Sequence, residues 1–128
     1  MRILVVDDQF KARWAAADWL AVFLDSVAIE SAASVAEALA LIKARKPDLV
    51  LAAYAMKPIG GIELARRLKA ESDPPLVVVM TDGTDAQFES ACEAAGADFW
   101  LEKRHLQARL LAFMQERFTL RLARQGSF

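Results

Sequence analysis

Five times along the chain a short apolar run gives way to a longer amphipathic stretch, and this alternation constrains the fold more than any other feature. Arg2–Val6, Val27–Ser31, Asp48–Ala53, Leu76–Met80 and Asp98–Leu101 have the length of strands. Several, such as Ile3-Leu4-Val5-Val6, are continuously apolar rather than alternating. That is the pattern of strands buried on both faces of a parallel sheet. The intervening segments Phe10–Leu24, Ser34–Arg45, Ile62–Ala70, Thr84–Ala95 and Leu106 to about Ala123 have helical length and spacing. Strict β-then-α order argues an α/β fold, a doubly wound parallel sheet with right-handed crossovers and helices on both faces.

Local signals place the boundaries. Ser34-Val35-Ala36-Glu37 reads as a capping box opening the second helix, and Pro47 ends it. Lys57-Pro58-Ile59-Gly60-Gly61 is the clearest loop, Pro74-Pro75 is a break, and Thr84…Gln87 is a second box-like start. Gly96 closes the fourth helix. In the first helix Phe10, Trp14, Ala17, Leu20 and Leu24 fall on or near one stripe, the signature of an amphipathic helix. Residues 1–123 are expected to form one domain, with 124–128 a C-terminal tail.

Composition excludes several functions. The chain has 128 residues, 55 % hydrophobic, enough for one core without a disulfide or structural metal. With Lys+Arg 16 against Asp+Glu 17, its net charge of -1 gives no whole-chain case for nucleic acid or an anionic membrane. No apolar stretch reaches the roughly 18–20 residues of a membrane span, and the N-terminal run ends in two acids, so a cytoplasmic setting is expected. Cys92 is the only cysteine and His105 the only histidine, which removes an internal disulfide and the common Cys/His zinc sites. Cys92 reads as a buried helix residue, His105 as a solvated helix start. No glycine-rich phosphate loop follows the first strand and no Ser/His/Asp arrangement is visible, so no enzyme is expected.

In such sheets ligands bind at the carboxyl ends of the strands. Those ends carry Asp7-Asp8, then Ala53 followed by Tyr54-Ala55-Met56, then Thr81-Asp82, then Glu102-Lys103. Adjacent acids, a hydroxyl and a lysine on one rim suit a divalent cation and a phosphoryl group: carboxylates ligate Mg²⁺, while Lys and Thr hold phosphate oxygens.

These residues resemble the receiver domain of two-component response regulators over nearly the whole chain. Ile3-Leu4-Val5-Val6-Asp7-Asp8 resembles its first strand and acidic pair, and Pro47-Asp48-Leu49-Val50-Leu51 the approach to its phosphorylation site. Val77-Val78-Val79-Met80-Thr81 resembles its fourth strand and switch hydroxyl, and Gly96-Ala97-Asp98-Phe99-Trp100-Leu101-Glu102-Lys103 its fifth strand and lysine. The resemblance implies a flavodoxin-like (βα)5 fold with strand order 2-1-3-4-5, and phosphotransfer from a histidine kinase to an aspartate with Mg²⁺ bound. By position, Asp8 would ligate the metal directly, Asp7 mainly through water, and the Ala55 carbonyl would complete the protein ligands. Thr81 would grip the phosphoryl oxygen, Lys103 would pair with carboxylate or phosphate, and Trp100 would be the aromatic switch residue.

The acceptor position falls on Ala53, with Met56 and Gly61 securing the alignment, and a methyl group can neither attack phosphorus nor ligate a metal. Lys57, Pro58, Gly60, Asp82 and Arg104 also depart from the family pattern. The reading is therefore a degenerate receiver acting by phosphorylation-independent protein contact. The alternative is a phospho-accepting receiver whose Asp at 53 was exchanged for Ala in the laboratory. Lys103, deprived of its usual partner, should seek Asp7, Asp8 or Asp82, since a buried unpaired ammonium is costly. Mg²⁺ binding should be weakened. The expected partners are a histidine kinase or a downstream signalling protein. A homodimer through helix 4, strand 5 and helix 5 would use Trp100, Phe113 and Phe118. Arg117, Arg121 and Arg124 on the last helix read as a solvated basic edge and make no case for DNA binding.

Overall fold

The computed structural model describes residues 1–83 and 85–124, with side chains as far as residue 118. The chain runs β1 (Arg2–Val6), α1 (Phe10–Phe23), β2 (Ala28–Ala32), α2 (Val35–Ala44), β3 (Leu49–Ala53), α3 (Gly61–Lys69), β4 (Leu76–Thr81), α4 (Phe88–Ala95) and β5 (Phe99–Glu102). A single 3₁₀ turn, Lys103–His105, leads into α5 (Leu106–Arg124). The five strands form one parallel sheet in the order β2-β1-β3-β4-β5, a flavodoxin-like fold.

Each strand feeds two cores because successive side chains point to opposite faces. Leu4, Val6, Val50, Ala52, Val77 and Val79 pack with residues of α2, α3 and α4. Ile3, Val5, Leu49, Leu51, Val78 and Met80 pack with residues of α1 and α5. The central strand β3 is buried along its whole length. Below the sheet, two aspartates just ahead of strands bind neighbouring strands. Asp48 Oδ2 accepts the Arg2 N–H at 2.8 Å. Asp98 Oδ2 accepts the Val77 N–H at 2.8 Å and the Lys69 ammonium at 2.7 Å.

The α2 cap forms as its sequence predicts on one side: Ser34 Oγ accepts the Glu37 N–H at 3.1 Å. Glu37 reaches back to the Ala33 N–H, at 3.3 Å, one residue earlier than in a capping box. Helix α4 begins at Phe88, four residues later than the Thr84 start expected. Thr84 lies outside the described residues, and Asp85 Oδ1 holds the Gln87 N–H at 2.9 Å in a turn ahead of the helix. Helix α5 includes Arg124, one residue beyond the expected domain end at 123. The rest of that tail, like the side chains of Arg121 and Arg124, lies outside the described residues.

Two surfaces differ from expectation. Of the expected stripe, Leu20 is buried and Leu24 packs against the core, but Phe10 and Trp14 are 65 % and 67 % exposed, and Ala16 and Trp19 are buried in their place. Of the residues expected at a dimer face, only Phe113 is turned inward. Phe113 is buried, stacked on Phe99 at a centroid distance of 4.9 Å, and Trp100 and Phe118 are half-buried against the cores. The guanidinium of Arg117 covers the Phe113 ring. Cys92 is fully buried, as expected, and burial pushes its thiol up to about 12.

Candidate functional site: the carboxyl rim of the sheet

Because β1, β3, β4 and β5 run parallel and adjacent, their carboxyl ends bring Asp7, Ala53, Thr81 and Lys103 onto one rim. Asp7 is fully buried. Its backbone N–H continues the β1–β2 pairing by donating to the Ala32 carbonyl at 3.0 Å. Its Oδ1 accepts the Gln9 N–H at 3.0 Å, and its Oδ2 lies 2.7 Å from the Lys103 ammonium.

Lys103 is the hub of the rim. Its side chain is only 17 % exposed, and the ammonium also lies 3.5 Å from Asp82 Oδ1 and 3.4 Å from Gln9 Oε1. Of the three anions expected to compete for it, Asp7 wins, Asp82 makes a longer second contact, and Asp8 goes elsewhere. Asp8 is exposed, and its Oδ2 accepts the Lys57 backbone N–H at 3.3 Å from the loop between β3 and α3. Thr81 is buried, with its hydroxyl turned onto the Gly83 carbonyl at 2.8 Å. Trp100 of β5 packs on the α4 side, its indole N–H 3.4 Å from Glu89 Oε1.

Ala53 closes β3 with a buried methyl. The following loop folds tightly over it and contains a cis Lys57–Pro58 peptide bond. Glycine is required there by space: a Cβ on Gly61 would lie 2.5 Å from the Ala53 carbonyl oxygen, and one on Gly60 2.2 Å from the Tyr54 carbonyl oxygen. The Gly61 N–H caps that Tyr54 carbonyl at 3.3 Å. The Tyr54 ring meets Phe88 edge-on at 5.0 Å, and its phenol is raised above its ordinary range by burial and by Asp85.

This donor set fits Mg²⁺ poorly. A hard dication needs several oxygens free to face it. Both Asp7 oxygens are engaged, one by an ammonium, which leaves the Asp8 carboxylate and the Ala55 carbonyl. Among the described residues no group of three acidic, histidine or cysteine side chains is placed to hold a metal. Sequence reasoning named the charged members of the rim. It missed Gln9, whose only signal was its place directly after the acid pair, and the Lys57 backbone N–H, which had none.

Residues 3–115 match the family described as the response regulator receiver domain. The chain is 35 % identical over 122 residues to the phosphate regulon transcriptional regulatory protein PhoB of Pseudomonas aeruginosa, covering 88 % of this chain and 51 % of PhoB. It thus spans about half the length of that relative. The Vibrio cholerae chemotaxis protein CheY4 superposes with a TM-score of 0.77 at 25 % identity, over 90 % of this chain and 96 % of CheY4. The receiver domain of the Arabidopsis thaliana histidine kinase CKI1, solved with Mg²⁺ and BeF₃⁻, superposes with a TM-score of 0.76 at 23 % identity, over 90 % and 89 % of the two chains. The five-stranded fold, its strand order and these matches together place the chain in the response regulator receiver domain family of two-component signalling.

Proposed function

We propose that this chain is a degenerate receiver, a cytoplasmic protein-contact module that is not an enzyme and takes no phosphoryl group. The observation that supports this most is the pairing of Lys103 with Asp7 beside the Ala53 methyl. In this reading Ala53 occupies the family's acceptor position. A lysine that would otherwise serve an acceptor carboxylate or its phosphoryl group satisfies a different acid instead. Asp7 and Asp8, with the Ala55 carbonyl, are a vestigial Mg²⁺ site of weak affinity, and Thr81 and Trp100 are the switch pair of a switch no longer thrown. The partner is a histidine kinase or a downstream signalling protein.

A second reading has one observation in its favour. Asp7, Thr81 and Lys103 lie with residue 53 at the carboxyl ends of adjacent strands, so in this reading an aspartate at 53 would complete a pocket. The test is intact mass after incubation with acetyl phosphate and Mg²⁺, comparing the chain with its Ala53→Asp variant. The degenerate reading expects no phosphoryl adduct on the chain as it stands. An adduct on that chain overturns it. An adduct on the variant alone means residue 53 is the single missing part and favours the second reading. Absence from both means the loops have drifted as well.

A further inference from the structure

Apart from Met1, every large apolar side chain described as exposed belongs to α1: Phe10, Trp14, Val22 and Phe23 are 60–71 % exposed. Phe23 lies on another side of the helix, its ring 5.5 Å from that of Trp19, whereas Phe10, Trp14 and Val22 fall on the solvent-facing side, where such a concentration marks an interaction surface. Seen end-on at 100° per residue, the solvent face of α1 has Lys11 and Asp18 along its centre line. Phe10, Trp14 and Ala21 line one flank, Ala15 and Val22 the other. Lys11 and Asp18 are exposed, and among the described residues neither forms an ion pair. They have opposite sign and stand two turns apart.

We infer that this face docks against α1 of a second copy of the chain, antiparallel, about a two-fold axis passing between residues 14 and 15. The charge pattern points to that occupant. A two-fold contact must be self-complementary, each residue meeting in the partner the residue that meets it in return. In this register Lys11 of each copy faces Asp18 of the other, so the only two charges on the centre line are answered twice. Trp14 lies beside Trp14 of the second copy, and Phe10 meets the small Ala21. Ala15 meets Ala15 on the other flank, where the absence of bulk lets the helices approach. A parallel arrangement would set Lys11 against Lys11 and Asp18 against Asp18. The surface borders the rim, since Ala15 lines one cavity with Lys103, but it does not depend on what residue 53 can accept.

Helix α1 has 14 residues, a length of about 21 Å, and its one face falls well short of the roughly 800 Å² per partner of a standard interface. The contact is therefore of the weak, transient class. Sedimentation equilibrium of the full chain from about 10 μM to 1 mM tests it. Lys11→Glu and Asp18→Lys should each weaken association about tenfold or more, because each turns two attractions into two repulsions. The double variant K11E/D18K should return to within about threefold of the parent. Trp14→Ser should leave only monomer, with its helical circular dichroism unchanged. A chain that stays monomeric at 1 mM overturns the inference and leaves the face to another protein. A dimer indifferent to both single reversals uses another surface, and a double variant no better than the singles rejects this register.

Discussion

Replacing Lys103 by methionine removes the ammonium and keeps most of the side chain's bulk. Asp7 is then left with a fully buried carboxylate whose only remaining partner is the Gln9 N–H at 3.0 Å. Breaking a buried ion pair from one side typically costs about 3–5 kcal/mol. Here the lysine is 17 % exposed and one hydrogen bond to the carboxylate survives, so water can relieve part of the loss. We expect about 2–4 kcal/mol, a fall in Tm of roughly 8–15 °C for a domain of this size. Asp7→Asn is milder, about 1–2 kcal/mol, because the freed ammonium keeps Asp82 and some solvent. The double variant carries no charge to strand and should cost less than the sum, with a coupling of about 1.5–3 kcal/mol. Urea unfolding followed by far-UV circular dichroism on all four proteins gives the cycle. If Lys103→Met lies within about 0.5 kcal/mol of the parent, or the coupling vanishes, the pair does not hold the rim and the reasoning about Lys103 fails.

Three other changes probe separate features. Ser34→Ala should lower stability by about 1 kcal/mol, read by urea unfolding, by removing the oxygen that accepts the Glu37 N–H. Gly61→Ala forces a Cβ to within 2.5 Å of the Ala53 carbonyl oxygen, and the displaced loop should cost about 2–3 kcal/mol, with amide shifts at Tyr54 and Lys57 in NMR spectra. Cys92 should resist thiol reagents at pH 8 until the chain unfolds. Its raised folded value of about 12 keeps the proton on the buried sulfur, while the unfolded thiol ionises first. Stability from this group is therefore complete below about pH 8.5 and declines as pH climbs toward 12.

The strands were legible because a parallel sheet buried on both faces demands continuous apolar runs, and Pro47, Pro75 and the acid pair bounded them. The helices were legible in length but not always in facing. The stripe read in α1 ran through Phe10, Trp14, Ala17, Leu20 and Leu24, and a second apolar arc runs through Ala16, Trp19 and Leu20, so the two share Leu20 and periodicity alone cannot say which arc meets the sheet. The structure chooses the second. The last helix misled for the related reason that Phe113 is apolar whether it faces out or in, and only its stacking on Phe99 decides. At α4 the Thr84…Gln87 pattern suggested a start, but the burial of Phe88, Cys92 and Ala95 does not need the preceding turn to be helical. On the rim, charged residues at strand ends were readable from the alternation itself. The contact between Lys103 and Gln9 joins positions 94 apart in sequence and left no trace in either neighbourhood.

The two aspartates beneath the sheet, Asp48 and Asp98, have a consequence for how the strands find their alignment. An amphipathic strand that slips by one residue turns its apolar side to water and is punished at once. A strand buried on both faces, such as Leu49–Ala53 or Leu76–Thr81, lacks that safeguard, since a slip only exchanges one aliphatic residue for another. Asp48, holding the first N–H of β1, and Asp98, holding an N–H of β4, act as pegs that fit in a single position. A shift of one residue moves each N–H about 3.3 Å from its carboxylate and leaves that hydrogen bond unmade. Two polar side chains outside the strands thus supply the alignment that the apolar sequences inside them leave undecided.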